Sequence, residues 1–256
     1  YSGGLSLPDE SVAPGPTNRI VVNNGAIKPW SAKSISTRLE YYFEGVGQVS
    51  VGAFRREFEN FFGDVTFRST PEFLALYGLD AGTYGTYDVA TQHNVAETVR
   101  MSGVDFSYKQ ALTFLPRWAR GVNVFANAAV QRTTGEATAN FNGYIPRKAS
   151  WGIALVRERY NFRMNWSHQS KNRLGAIAAG SSIEPGSYNW QSSRVFLDIL
   201  GEYSFTRNFG VYFTLRNVGD TPDQREIEGP STPAHAQFRS REQAGSLWTF
   251  GVKGTF

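Results

Sequence analysis

GSLWTFGVKGTF, residues Gly245 to Phe256, is the stretch that decides the fold. Every second residue, counted back from the last, forms a face that is apolar or aromatic except for one glycine: Phe256, Gly254, Val252, Phe250 and Trp248. The opposite face is mostly small or polar: Thr255, Lys253, Gly251, Thr249 and Leu247. Alternation with period two predicts a β-strand with one apolar and one polar side. The strand ends on an aromatic residue, although chain ends usually fray.

Eight further segments alternate in the same way. They are 30–43, 48–53 with a charged aromatic extension to 62, about 97–110, 122–131, 151–155, 161–167, 194–205 and 211–216. Several of them run to about ten residues, which suits a tilted membrane crossing better than the short strands of soluble sheets. The sequence therefore predicts nine strands with one apolar face each.

The connections between these segments alternate between short and long. Short turns join 30–43 to 48–53 and 151–155 to 161–167. The stretch of about 61–95, by contrast, is long and irregular. Within it, STPEFLALYGLD predicts a short helix with Ser69 or Thr70 as N-cap, Pro71 in the first turn and Gly78 at the end. Short turns at one end and long loops at the other are typical of antiparallel transmembrane β-barrels.

Composition agrees with this fold class and excludes several functions. The 256 residues include 14% aromatics, 26 glycines and no cysteine, with a formal net charge of +4. The absence of cysteine excludes disulfides and thiolate sites, and the small, dispersed charge does not indicate nucleic-acid binding. No apolar run approaches the ~20 residues of a membrane-spanning helix. A mean hydropathy of −0.36 is compatible with a barrel, because only alternate residues face lipid.

Nine strands leave an open edge at Trp30, and open edges are not tolerated in lipid. We therefore expect further strands ahead of this chain. If Phe256 lies at the periplasmic side, strand one runs in the same direction as strand nine. Residues 1–29, rich in Gly, Pro, Ser and Asn and without a usable period, are then expected to form an extracellular loop segment, with the barrel over 30–256.

Four stretches resemble the TonB-dependent receptors. VNNGAIKPWSAKSISTRLEYYF (22–43) is similar to that family's N-P-x-L-K-P-E…E-Y-Y signature, although Gly25, Ile27 and Trp30 depart from it. VSVGAFRREFENFF (49–62) resembles S-V-x-x-F-x-K-D-I-x-N-F, and LRNVGDTP (215–222) resembles x-R-N-L-F-D. The closing segment is similar to the terminal strand of the family.

The resemblance implies an all-β antiparallel transmembrane β-barrel, of which this chain supplies about nine C-terminal strands out of 22. It implies energised uptake of a scarce nutrient across the outer membrane of a Gram-negative-type bacterium, most often a ferric siderophore and next a carbohydrate. The implied partners are outer-membrane lipid, a plug domain of the same protein, the TonB energy-coupling complex, and the barrel-assembly machinery, which recognises the strand ending in Phe256. No cofactor, metal, nucleic acid or enzymatic activity is expected.

Two groups of residues are candidates for function. Charged residues on the polar faces are expected to point into the lumen or at the plug: Arg38, Glu40, Asp105, Arg163, Arg194, Asp198, Glu202 and Arg216. Aromatic residues of the long loops suit a large amphipathic ligand: Phe67, Phe73, Tyr77, Tyr84, Tyr87, Tyr144, Tyr188 and Trp190. For each aromatic residue, packing of one loop against another is the alternative.

Two alternative functions fit the pattern. The first is a passive porin or adhesin barrel, which needs neither plug nor energy coupling. The second is a soluble all-β ligand-binding domain, in which the apolar strand faces would be buried in a core. His93, His168 and His235 are scattered, and the acidic loop from Asp220 to Glu228 lacks the order of a calcium loop, so no metal site is predicted.

Overall fold

The main feature of the computed structural model is one antiparallel sheet of nine strands, each neighbouring the next. The structure describes residues 4–15, 17–43, 46–135, 141, 143–177, 184 and 186–254. The nine strands are β1 (Ser31–Phe43), β2 (Gly47–Glu59), β3 (Val99–Ala111), β4 (Val122–Thr134), β5 (Arg147–Val156), β6 (Tyr160–Gln169), β7 (Arg194–Ser204), β8 (Phe209–Arg216) and β9 (Leu247–Gly254). All nine predicted strands are confirmed. Phe256, the basis of the assembly-machinery prediction, lies outside the described residues.

The strands of this sheet are long. Each of β1 to β4 has 13 residues, whereas strands in soluble proteins commonly have about five or six. Unbroken registers join them, for example from Ser31 opposite Glu59 to Phe43 opposite Gly47. We call this sheet the wall.

The long connections all leave the same end of the wall, as predicted. This end, called the loop end, carries the segments 60–98, 135–146, 170–193 and 217–246. The opposite turn end carries the short connections 44–46, 112–121, 157–159 and 205–208.

The loops form two small sheets of their own. In the first, the order is Gly4–Ser6, Ile20–Asn23, Asp88–Asn94 and Phe62–Arg68, with helices α1 (Pro71–Leu76) and α2 (Ala81–Tyr84) between its last two strands in sequence. In the second, the order is Asn172–Ala176, Tyr188–Gln191, Asp223–Glu228 and Phe238–Glu242. Two short 3-10 helices span Arg117–Ala119 and Ala234–Ala236.

Helix α1 forms as its sequence predicts. The hydroxyl of Thr70 accepts a hydrogen bond from the Phe73 amide at 3.2 Å, and Pro71 occupies the first turn. Gly78 follows the helix with a φ of +65°, a conformation that glycine adopts without a steric penalty.

Two expectations about the loops were wrong. The segment 1–29 contains regular structure, because Ile20–Asn23 forms a strand that pairs in parallel with Asp88–Asn94. The stretch 61–95 is likewise not irregular, because Phe62–Arg68 and Asp88–Asn94 pair with each other. Both pairings involve short segments, and the parallel one joins residues nearly seventy positions apart, so no local pattern reveals them.

Apolar side chains are buried in the loops and exposed on the wall. One loop core contains Ile20, Val22, Leu74, Tyr84, Tyr87 and Val89, and a second cluster at the loop end of the wall contains Phe58, Val95 and Val99. On the apolar face of the wall, by contrast, Leu39 is 78% exposed, Val104 51% and Phe250 67%. The soluble alternative required these faces to be buried, and the structure contradicts it.

The two α-helices are short, with six residues in α1 and four in α2. Within the residues described, none has the length and apolar character that a membrane span requires.

Candidate ligand-binding site in the loops

A cavity of about 380 Å³ opens among the loops at the loop end of the wall. Three predicted aromatic residues line it, namely Tyr144, Tyr188 and Trp190. The rest of its lining is Val99, Thr133, Thr134, Gly135, Phe141, Pro146 and Arg173. The cavity thus lies where the segments 135–146 and 170–193 meet the ends of β3 and β4.

Backbone pairing brings the two loop segments together. Arg173 lies directly opposite Trp190 in the second loop sheet, and Ala176 lies opposite Tyr188. The amide of Gly143 donates a hydrogen bond to the Arg173 carbonyl at 3.0 Å, which fixes Gly143 against this sheet. The side chain of Gln131 on β4 donates to the Ile145 carbonyl at 2.9 Å and fixes Ile145 to the wall.

Aromatic rings form a continuous series from the wall to the cavity. The Phe61 and Phe141 rings stack with centroids 4.6 Å apart and planes 15° from parallel. Phe58 contacts both of them, at 5.2 Å and 5.9 Å, and Tyr144 contacts Phe141 at 6.3 Å. Such a series offers flat apolar surfaces with polar edges, which suit a large amphipathic ligand.

Two cations lie over the aromatic rings of the cavity. The Arg173 guanidinium is 4.4 Å from the centroid of Tyr188, and the Lys171 ammonium is 5.5 Å from that of Trp190. Lys171 also binds the carboxylates of Glu226 and Glu228, the latter at 2.5 Å. Burial alone would lower the pKa of Lys171, but these two hydrogen bonds outweigh it and raise the pKa. Lys171 is therefore neutralised by two carboxylates of the second loop sheet.

Two hydrogen-bond donors at the cavity are buried without a partner among the described residues. They are the hydroxyl of Tyr144 and the indole N–H of Trp190. Burial raises the pKa of Tyr144 to about 12, so its phenol remains a proton donor at neutral pH. A buried donor without an acceptor is costly, about 1–3 kcal/mol, and a ligand that supplies oxygen acceptors relieves this cost.

The other predicted aromatic residues lie elsewhere. Phe73 contacts Phe67 at 5.6 Å and Tyr77 at 4.9 Å, in a cluster beside α1. Tyr84 and Tyr87 are buried in the first loop core, where the Tyr84 hydroxyl binds Glu10 and the Tyr87 hydroxyl donates to the Val12 carbonyl. These two residues pack one loop segment against another, which was the alternative for each aromatic residue.

The eight predicted lumen residues share one face of the wall, opposite the exposed apolar face. The register sets Arg38 and Asp105 on either side of Gly52, with a guanidinium-to-carboxylate distance of 3.1 Å. A Cβ at Gly52 would lie 2.5 Å from the Asp105 carboxylate, so glycine leaves the space for this bridge. Farther along, Arg194 pairs with Asp223 at 3.4 Å and Glu202 with Lys253. The other residues of the set are Glu40, Arg163, Asp198 and Arg216.

Sequence reasoning missed Arg173 and Phe141. Arg173 is one of 26 basic residues, and its loop has no motif that distinguishes it. Its position depends on pairing with Trp190 and on the hydrogen bond from Gly143, both of which are tertiary. Phe141 is an aromatic residue of a long loop like the predicted ones, but nothing in its local sequence distinguishes it. Within the described residues, no group of three or more potential metal ligands is present.

Comparison with known proteins identifies the family. A sequence model described as "TonB dependent receptor-like, beta-barrel" matches residues 1–218 of the chain. The chain belongs to the TonB-dependent receptor family. The match includes the motifs at 22–43 and 49–62, so the resemblance of these stretches to the family is confirmed. Among curated proteins, no sequence matches the chain significantly.

Solved structures share the fold of this receptor chain. The siderophore receptor PirA from Acinetobacter baumannii gives a TM-score of 0.57 at 13% identity and covers 99% of this chain and 35% of its own. The copper transporter OprC gives 0.59 at 14% identity, with 91% and 32% covered. A mutant of the ferric enterobactin receptor PfeA from Pseudomonas aeruginosa gives 0.58 at 12% identity, with 94% and 33% covered. The chain thus spans about a third of each structure.

Proposed function

We propose that this receptor chain forms part of an outer-membrane transporter that takes up a scarce nutrient in an energised process. The observation that carries the proposal is the opposed character of the two wall faces. One face exposes apolar residues such as Leu39 and Phe250, and the other carries ion pairs such as Arg38–Asp105. Apolar residues facing lipid and charges facing a polar interior are the arrangement of a transmembrane barrel.

The polar face of the wall is the proposed contact for a plug domain. Its ion pairs bridge strands two apart in the sheet and are half-exposed, as with Arg38 and Asp105, and Glu202 and Lys253. In this proposal the TonB energy-coupling complex acts on the plug, and the loops capture the ligand before the plug moves. Residues 1–29 then belong to the extracellular side together with the long loops, and residues 30–256 to the barrel.

The cavity favours a ferric siderophore over a neutral carbohydrate as the ligand. The donors of Tyr144 and Trp190 point to a ligand with several oxygen acceptors, and the Arg173 cation beside them favours a negatively charged one. Ferric siderophores commonly meet both requirements, whereas neutral sugars lack the charge. PirA and PfeA, two of the structural neighbours, are described as siderophore and ferric enterobactin receptors.

The test is uptake of radiolabelled iron by cells that express the longest native reading frame encoding these residues. We expect uptake of a ferric siderophore that stops when the membrane potential is collapsed, and that an Arg173→Gln variant binds the chelate about tenfold more weakly. Arg68→Gln is the matched control, because Arg68 is another loop arginine whose ion pair with Asp88 lies away from the cavity. Uptake that persists without the membrane potential would instead establish a passive porin.

A further inference from the structure

A row of cations crosses the apolar face of the wall near its loop end. Arg55, Arg100, Arg132 and Arg147 lie one each on β2, β3, β4 and β5. The strand register places all four on the same face as Val51, Val104 and Val130, opposite the lumen residues. We call these four residues the arginine belt.

The members of the belt lie close to one another. Ser102 on β3 is directly opposite Arg55 on one side and Arg132 on the other. Arg100 is two residues from Ser102, and Arg147 is opposite Val130, two residues from Arg132. Diagonal neighbours of this kind are about 7–8 Å apart, so the four cations repel one another unless anions lie between them.

The protein supplies only part of the negative charge that the belt requires. Glu57 accepts hydrogen bonds from Arg55 at 2.6 Å and from Arg100 at 3.1 Å. Arg132 and Arg147 are exposed, and their side chains form no ion pair with another described residue. The hydroxyls of Ser102 and Thr134 are exposed on the same face. This half of the belt therefore offers two guanidiniums and two hydroxyls to an external anion.

The apolar residues beside the belt indicate what kind of anion binds. Val104 and Val130 occupy the next position toward the turn end and are 51% and 54% exposed. Phe106 and Ala128 follow in the same direction. A free phosphate makes no favourable contact with this apolar surface. The acyl chains of a lipid, by contrast, cover it while the headgroup binds the arginines.

The turn end of the same face has a different character. On β1 and β3 it carries aromatic rings rather than cations, with Phe43 in ring contact with Tyr41 at 5.4 Å and with Tyr108 at 6.3 Å. Aromatic girdles are found at both interfaces of transmembrane barrels and do not distinguish the two leaflets. The arginine belt lies near the loop end and therefore does distinguish the two leaflets.

We propose that the arginine belt binds a lipid whose headgroup carries more than one phosphate, in the leaflet on the loop side. Strands are about 4.8 Å apart, so the belt extends over about 15 Å from β2 to β5, enough for two phosphates of one headgroup. Guanidinium groups bind phosphate with two parallel hydrogen bonds, which makes arginine suited to this role. The inference rests on the proposed membrane function and adds a specific lipid contact to it.

The test uses the longest native reading frame encoding these residues, reconstituted in phosphatidylcholine nanodiscs that contain either diphosphoryl or monophosphoryl lipid A. Native mass spectrometry measures how much of each lipid remains bound. We expect preferential retention of the diphosphoryl form, and about tenfold weaker retention for the double variant Arg132→Gln with Arg147→Gln. The preference should also weaken as the salt concentration rises, because exposed charges are screened.

The matched control is Lys109→Gln with Lys148→Gln, which removes the same charge from the polar face of β3 and β5. Arg132→Lys with Arg147→Lys keeps the charge but loses the paired guanidinium hydrogen bonds, so its binding should lie between those of the native protein and the glutamine variant. Heat-dependent gel mobility verifies folding of every variant. Equal retention of both lipids, or equal losses in the belt and control variants, would overturn the proposal while leaving nutrient uptake intact. A protein that stays outside all nanodiscs would overturn the membrane function and the belt together.

Discussion

The first loop sheet and the wall bury apolar side chains in different ways. Ile20 and Val89 of the loop sheet, and Leu74 of helix α1 packed with them, are almost fully covered by other parts of the chain. In the wall, Leu39, Phe250 and Val252 are each more than two-thirds exposed. The loop sheet therefore has the core of a water-soluble unit, whereas the wall needs an external apolar phase. The two regions thus differ in what surrounds their apolar residues, which is protein in the loop core and an external phase at the wall.

The largest expected effect comes from Leu74→Ala in α1. Leu74 is 1% exposed in the first loop core, and removing a buried leucine side chain costs about 2–5 kcal/mol. Hydrogen exchange should show faster opening of Phe62–Arg68 and Asp88–Asn94, with little change in β3 and β4. Leu76→Ala in the same helix is the control, because Leu76 is 77% exposed and its loss should be nearly neutral. Equal loss of protection in the wall would show that the two regions are one cooperative unit.

The next effect compares two adjacent alanines of β4. Ala128 lies on the apolar face between Phe106 and Ala149, and Ala129 lies on the polar face between Asp105 and Lys148. An arginine facing mid-membrane lipid costs about 2–4 kcal/mol, so Ala128→Arg should impair folding into bilayers. Ala129→Arg, which places its charge beside Asp105, should fold close to normally. Folding yield by heat-dependent gel mobility measures both, and equal yields would contradict the assignment of the faces.

The third effect is a pH dependence at the loop cavity. It tests whether protein covers the Tyr144 hydroxyl, as protein covers the apolar residues of the first loop core. The raised pKa of Tyr144, about 12, means that the folded state favours the neutral phenol. The neutral phenol of Tyr144 therefore contributes fully to the free energy of unfolding below a pH of about 10, the ordinary tyrosine pKa. The contribution is lost as the pH rises toward about 12. Ultraviolet absorbance of phenolate should show a late titration step that Tyr144→Phe removes. A step at the ordinary pKa would show that the cavity is open to water at this position.

The smallest effect concerns the N-cap of α1. Thr70→Ala removes the hydroxyl that accepts from the Phe73 amide at 3.2 Å, and loss of such a cap costs about 1 kcal/mol. Thr70→Ser keeps the acceptor and should retain stability. Hydrogen exchange of the Phe73 amide separates the two variants, and indistinguishable rates would mean that tertiary packing alone holds the helix.

The wall could be predicted from sequence because its pattern is local. Each strand alternates over its own length, as in the segment from Ser31 to Phe43, and each turn is short. Helix α1 could be predicted for the same reason, since Thr70, Pro71 and Gly78 act within one helix. The loop strand Ile20–Asn23 could not, because its four residues become a strand only by pairing with Gly4–Ser6 on one side and Asp88–Asn94 on the other.

The candidate site was only partly predictable, for a related reason. Aromatic residues in long loops indicate ligand contact as a class, and Tyr144, Tyr188 and Trp190 do meet in one cavity. Sequence does not distinguish them from Tyr84 and Tyr87, which are buried in a loop core. The position of Arg173 depends on its cross-strand pairing with Trp190 and on the hydrogen bond from the Gly143 amide. Neither contact produces a local sequence pattern.

The central claim is that lipid covers the apolar face of the wall, and nitroxide scanning of β4 tests it most directly. These 256 residues contain no cysteine, so single cysteines from Val122 to Thr134 can each be spin-labelled without background from this part of the protein. In bilayers, we predict high oxygen accessibility at even positions such as Ala128, and high accessibility to a water-soluble nickel chelate at odd positions such as Ala129. Nickel accessibility at both sets of positions, or oxygen accessibility highest at the odd ones, would contradict the account.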